Sequence, residues 1–151
     1  MTILRHYLEL RFAGQKFLMP NGPDIVVEPR ENMQVERAGR AAAMRNVQDV
    51  SWFAYALGPD WAPVPESGWT RAVFLTVGPG RPVGLLVDDL KLLPADSLRI
   101  EAFTPLGPAP VPGRHLFVAA AMTLSAVTLV LAAGAVASYL RALESDHGLG
   151  E

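Results

Sequence analysis

From Leu8 to Phe12 the chain alternates apolar and charged residues, Leu-Glu-Leu-Arg-Phe, which places Leu8, Leu10 and Phe12 on one face of a β-strand. Ala13-Gly14-Gln15-Lys16 supplies a tight turn, and Phe17-Leu18-Met19 restarts an apolar strand that Pro20 ends. The two runs predict a hairpin. Asn21-Gly22-Pro23 turns the chain again before the short apolar run Ile25-Val26-Val27, closed by Pro29. Glu28 to Arg45 is the most polar stretch and predicts a surface loop, or an irregular helix around Ala38–Met44. Val50 to Leu57 is aromatic and apolar and favours a strand. After the Gly58-Pro59-Asp60 turn, Trp61 to Val64 is a short extended piece. Arg71–Val77 and Val83–Asp88 flank Gly78-Pro79-Gly80-Arg81-Pro82, a strong hairpin signal.

Leu90–Leu93 continues apolar, and Leu98–Phe103 alternates as a half-buried strand should. Thr104–Gly113 holds four prolines and two glycines and predicts a loop. The rhythm is of short strands with Gly/Pro punctuation, the pattern of a β-barrel or sandwich. Leu116–Leu140 admits two readings. Its 25 residues carry no charge, which is long enough for a membrane span. They equally fit a buried strand pair followed by an Ala-rich helix, and periodicity alone does not separate the two.

A length of 151 residues suits one domain, spanning 1–151, with enough chain to bury a core. Half of the residues are hydrophobic and 19% are charged, so wholesale disorder is excluded. The net charge is −2 and the basic residues are scattered, which argues against a nucleic-acid partner. The start is broken by Arg5, Glu9 and Arg11 and lacks the apolar core of a signal peptide. With no cysteine there is no disulfide framework, thiolate metal site or thiol catalysis.

Candidate chemistry is sparse. His6, His115 and His147 have no metal-ligand spacing and read as ordinary surface or boundary histidines. The Gly78–Gly84 segment superficially resembles a phosphate-binding loop. Its spacing is one residue off, and two prolines delete N–H groups that a phosphate needs. Asp88 and Asp89 are adjacent, so on a strand they point to opposite faces. No Gly-x-Ser-x-Gly elbow exists. Neither catalytic residues nor a metal or cofactor site is expected. Trp52, Trp61 and Trp69 lie close together beside Phe53 and Tyr55, and read either as core or as an interface.

The segment Arg71–Leu90 resembles the central hairpin of CheW-like domains, with Val83-Gly84-Leu85-Leu86-Val87-Asp88 matching that family's motif. Phe12–Pro20 is similar to the family's opening hairpin, and Leu93–Leu98 to its segment after the motif strand. The family's Asn-Leu-Arg-Gly stretch corresponds here to Tyr55–Val64, where Leu57, Gly58, Pro63 and Val64 remain but the Asn and Arg are absent.

The resemblance implies an all-β fold with a short C-terminal helix, built as two intertwined five-stranded SH3-like β-barrels. It also implies a cytoplasmic, non-catalytic adaptor of a chemosensory pathway, without cofactor or small-molecule substrate. Its partners would be proteins of the histidine-kinase and chemoreceptor types, met on exposed strand edges and in the groove between barrels. The membrane would be reached only through a receptor. The altered middle points to a divergent member with a private partner. Tyr55, Leu57, Trp61, Val64, Val83 and Gly84 are the candidate partner-binding residues. The alternative is a small β-domain anchored by a span at 116–140. If that segment is instead interior strand and helix, the protein purifies without detergent; retention in membranes after an alkaline carbonate wash identifies the span.

Overall fold

A computed structural model describes residues 6–35, 43–48, 50–64, 68–78, 80–94, 99–102, 117–122 and 127–145. The alternating start folds as β1 (His6–Phe12) and β2 (Gln15–Pro20). Ala13 and Gly14 between them take φ of 55° and 73°, the paired left-handed conformations that suit a two-residue hairpin. There follow β3 (Ile25–Pro29), a 3-10 turn at Arg30–Asn32, β4 (Gln34–Val35), β5 (Ala43–Val47), β6 (Val50–Leu57) and β7 (Pro63–Val64). The predicted second hairpin is β8 (Arg71–Leu75) and β9 (Val83–Val87). The chain ends through β10 (Asp89–Pro94), β11 (Arg99–Ala102), β12 (Phe117–Met122), β13 (Val127–Leu131) and α1 (Ala133–Ser145).

These strands form two sheets. One has the order β10-β1-β2-β13-β12-β11; the other runs β3-β8-β9-β6-β5-β4, with β7 paired to the end of β6. The first two and last four strands thus belong to one sheet, and the intervening seven to the other. Asp88 alone separates β9 from β10 and is where the chain changes sheet. Its N–H donates to the Arg11 carbonyl at 2.6 Å, and its carbonyl accepts from Thr70 Oγ1 at 2.9 Å. The adjacent carboxylates therefore mark a corner.

One face of the second sheet carries Tyr55, Leu57, Val73, Leu75, Val83, Leu85 and Val87. It packs on Leu8, Leu10, Phe12, Phe17 and Met19 of the first sheet and on Val136, Ala137, Leu140 and Leu143 of α1. The other face carries Ala43, Ala54, Ala56, Ala72, Phe74 and Leu86, with Trp69 beside them. Glu28 pairs across strands with Ala72, and Arg45 with Trp52, so both charged residues lie on this second face. They form an ion pair although β3 and β5 are not neighbours in the sheet. The sheet therefore curls around that face into a half-barrel, which its small alanines make room for. Arg30 completes this region, stacking 4.5 Å from the Trp69 ring centroid and donating to the Trp69 carbonyl at 2.9 Å.

Two expectations need correction. Glu28–Arg45 is not wholly a loop or irregular helix. Glu28 and Pro29 end β3, Ala43 to Arg45 lie in β5, and only 36–42 falls outside the described residues. Nor is 116–140 one spanning helix. β12 and β13 pair antiparallel, and α1 begins only at Ala133. Among the described residues no helix is long and apolar enough to cross a membrane. β13 lies between β2 and β12 with Thr128, Val130 and Leu131 buried, and a strand so placed needs no charge, which is why the stretch imitates a span. The predicted loop at Thr104–Gly113 lies outside the described residues.

Gly84 is set opposite Phe74, where a Cβ would stand 2.8 Å from Phe74 Cε1 and 2.9 Å from Ala54 Cβ. Gly84→Val is expected to lower the unfolding free energy by roughly 1–3 kcal/mol through overpacking. Chemical denaturation checks this, and an unchanged unfolding curve would remove Gly84 from that contact.

Candidate interaction surface

Five of the six candidate partner-binding residues lie in the interior. Tyr55 and Leu57 on β6, and Val83 on β9, point into the core between the sheets. Gly84 is buried beneath Phe74. Trp61 is buried in an aromatic group, 5.4 Å from the rings of both Phe12 and Phe17 and edge-on to Tyr139. Only Val64, half-buried on β7, lies near the surface, and it packs beside the alanine-lined face. The expectation of aromatic anchors presented at Tyr55 and Trp61 is therefore corrected. β6 is a central strand covered on both faces, so its aromatic run supplies core rather than contact surface.

What segment 52–64 does expose is its turn. Pro59, Asp60 and Ala62 are exposed, and the turn is tightly bonded. Trp61 N–H donates to the Gly58 carbonyl at 3.0 Å, Gly58 N–H to the Ala62 carbonyl at 2.9 Å, and Ala62 N–H to Asp60 Oδ1 at 3.1 Å. This presents a fixed, small-residue tip with one carboxylate. The run Gly58-Pro59-Asp60 is the sequence signal for this turn.

Strand edges are the other surface to weigh. In the β1–β2 hairpin the Asn21 N–H donates to His6, which turns the even-numbered backbone groups of β1 toward β2 and the odd ones toward β10. Leu90, Leu92 and Pro94 therefore direct their backbone groups outward from β10. The Leu90 N–H is taken by Asp89 Oδ1 at 2.9 Å, and Pro94 has no N–H, which leaves Leu92, 53% exposed. On β3 the outward residues are Ile25, Val27 and Pro29. The Ile25 N–H donates to Gly22, and Pro29 has none, which leaves Val27. β10 and β3, two of the four edge strands, are thus each reduced to one outward donor, too few to add a partner strand there.

A depression of about 390 Å³ lies at the β1–β2 turn, lined by Arg11, Gly14, Gln15, Lys16, Asp88 and Asp89. Arg11 and Lys16 are directly opposed across the hairpin, and the lining balances two cations with two carboxylates. Such a surface can meet a partner's mixed charges but holds no acid–base or nucleophilic pair. Among the described residues, no three His, Asp or Glu side chains converge as metal ligands. No protein-family model matches the chain, and no curated protein matches it.

With Tyr55 and Trp61 both in the core, replacing either by Ala is expected to cost about 3–5 kcal/mol of stability. Guanidinium titration of each variant checks this. A loss below about 1 kcal/mol at either position would return that side chain to the surface.

Proposed function

We propose that this chain is a non-catalytic adaptor, a divergent CheW-like protein that holds a chemoreceptor-type partner and a histidine-kinase-type partner together in a cytoplasmic chemosensory assembly. The observation that carries this reading is the order of elements around the motif. The Val83–Val87 part of the motif forms β9, its hairpin partner β8 precedes it, and β9 leads through Asp88 into a strand of the other sheet. The opening hairpin and the terminal helix pack on that same core. In this reading the half-barrel and the six-stranded sheet correspond to the two intertwined SH3-like barrels of the family. The adaptor's output is geometry and effective concentration, so it needs rigid, separately addressable surfaces rather than a reactive centre.

Contact is assigned to side chains at the Pro59–Ala62 turn and the neighbouring half-buried Val64. A partner docking there meets a short polar tip, the part of the family's contact stretch that lacks the Asn and Arg. Losing the Arg removes a planar five-donor fork, so the partner's matching surface differs from one built for that fork.

Affinity capture from the native cell, with the full chain as bait, tests the proposal. A histidine kinase or chemoreceptor is expected among the bound proteins. Ala62→Glu, at an exposed position, is expected to weaken that binding at least tenfold while leaving the melting temperature within about 2 °C. Capture of neither partner class from cells that express both would overturn the adaptor reading. Unaltered capture by the variant would move the contact away from the turn.

A further inference from the structure

Helix α1 lies on the core through Val136, Ala137, Leu140 and Leu143. Successive helical residues are separated by about 100°, so Tyr139 and Arg141 project to either side of the buried Leu140. Each side chain reaches a different loop. The Tyr139 hydroxyl donates to the Trp61 carbonyl in the turn between β6 and β7. Arg141 Nη1 donates to the Val77 carbonyl at 2.8 Å, and its Nε to the Arg81 carbonyl at 3.2 Å, both in the connection between β8 and β9.

Both loops hold left-handed backbone. In the β8–β9 connection this falls on glycines, Gly78 at φ 82° and Gly80 at φ 101°. At Gly78 a Cβ would stand 3.0 Å from Arg141 Nη1, so the missing side chain also admits the guanidinium. In the other turn the left-handed residue is Trp61, at φ 66°. A bulky side chain disfavours that region and keeps it only where its surroundings over-determine it. Here they do so three times. The ring is wedged beside Phe12, Phe17 and Tyr139, the N–H is bonded to Gly58, and the carbonyl is held by the Tyr139 hydroxyl. Two of those constraints involve α1.

We propose that α1 is a strap that fixes these two loops as one unit, so that loosening the helix releases both together. The strained Trp61 backbone supplies the bias toward release, and the buried apolar face of α1 opposes it. A contact made at the Pro59–Ala62 turn is then felt at the Gly78 and Arg81 connection through roughly half a turn of helix, from Tyr139 to Arg141. The inference stands on this geometry and does not depend on what the chain binds.

Amide hydrogen exchange on the full chain tests it with two variants. Tyr139→Phe keeps the ring and removes the hydroxyl; Arg141→Met keeps an aliphatic stem and removes the donors. Tyr139→Phe is expected to speed exchange at the Gly58 and Trp61 amides on the order of tenfold, the scale of one lost hydrogen bond. The decisive result is in Arg141→Met. The same Gly58 and Trp61 amides are expected to accelerate severalfold, although the Arg141 bonds to Val77 and Arg81 are both in the other loop, while the amides of β9 stay unchanged. Acceleration confined to the β8–β9 connection would show two independent tethers and overturn the strap. Equal acceleration at β9 would also overturn it, because the loops would then be opening only with the whole fold.

Discussion

Every side chain of β9 is buried, and much of the architecture follows from the need to cover both faces of that one strand. Val83, Leu85 and Val87 require large apolar partners, which the β1–β2 hairpin and α1 provide from the other sheet. Gly84 and Leu86 face the opposite way and are covered when their own sheet curls back over them. A single sheet cannot do both. Among the described residues the first and last strands share one sheet and the second is built between them, so that the hairpin and the helix arrive on the same side of β9.

The two faces solve unequal problems. Between the sheets there is room for Tyr55, Phe12, Phe17 and several leucines. Inside the curl the radius is short, and four alanines with one glycine leave just enough space for Phe74. Curling brings Glu28 and Arg45 together from strands that have three others between them in the sheet. With Glu28 largely buried and Arg45 partly so, the ion pair holds the curl in register more than it adds net stability, since desolvation offsets much of its attraction.

Much of this was legible in the sequence because strand pairs announce themselves locally. Leu8-Glu-Leu-Arg-Phe12 needs only alternation, and the β8–β9 hairpin only two apolar runs around a Gly/Pro turn. The buried strand pair and helix in 116–140 were one of the two open readings, and the choice between them required knowing which strands flank β13. The polar stretch at Glu28–Arg45 concealed strand residues because its ladder partners are more than ten residues away for β3 and mixed in polarity for β5. The candidate site was the least legible part. Aromatics in a central strand and aromatics at an interface have the same composition, and only the covering sheet distinguishes them. The Trp61 conformation left no mark in sequence at all, since a left-handed tryptophan is imposed by Phe12, Phe17 and Tyr139, all remote along the chain.

The same economy of edges bears on how such a protein can recognise anything. A two-sheet fold exposes edge strands, and an open edge binds extended chains with little regard to sequence. Here Asp89 and Pro94 on β10, and Gly22 before β3 with Pro29 on it, each remove one outward donor. Neither of these two edges keeps a row of N–H groups, so strand addition is poorly supported at β10 and β3. Away from those edges, side chains and loops held in fixed shapes offer a more selective surface. The two loops bonded to α1 are of that kind: one ends in a bonded turn around Asp60, and the other is gripped at two carbonyls by Arg141. Rigid tips on a rigid core lose little conformational entropy when they dock, which lets a small contact be both specific and readily reversible.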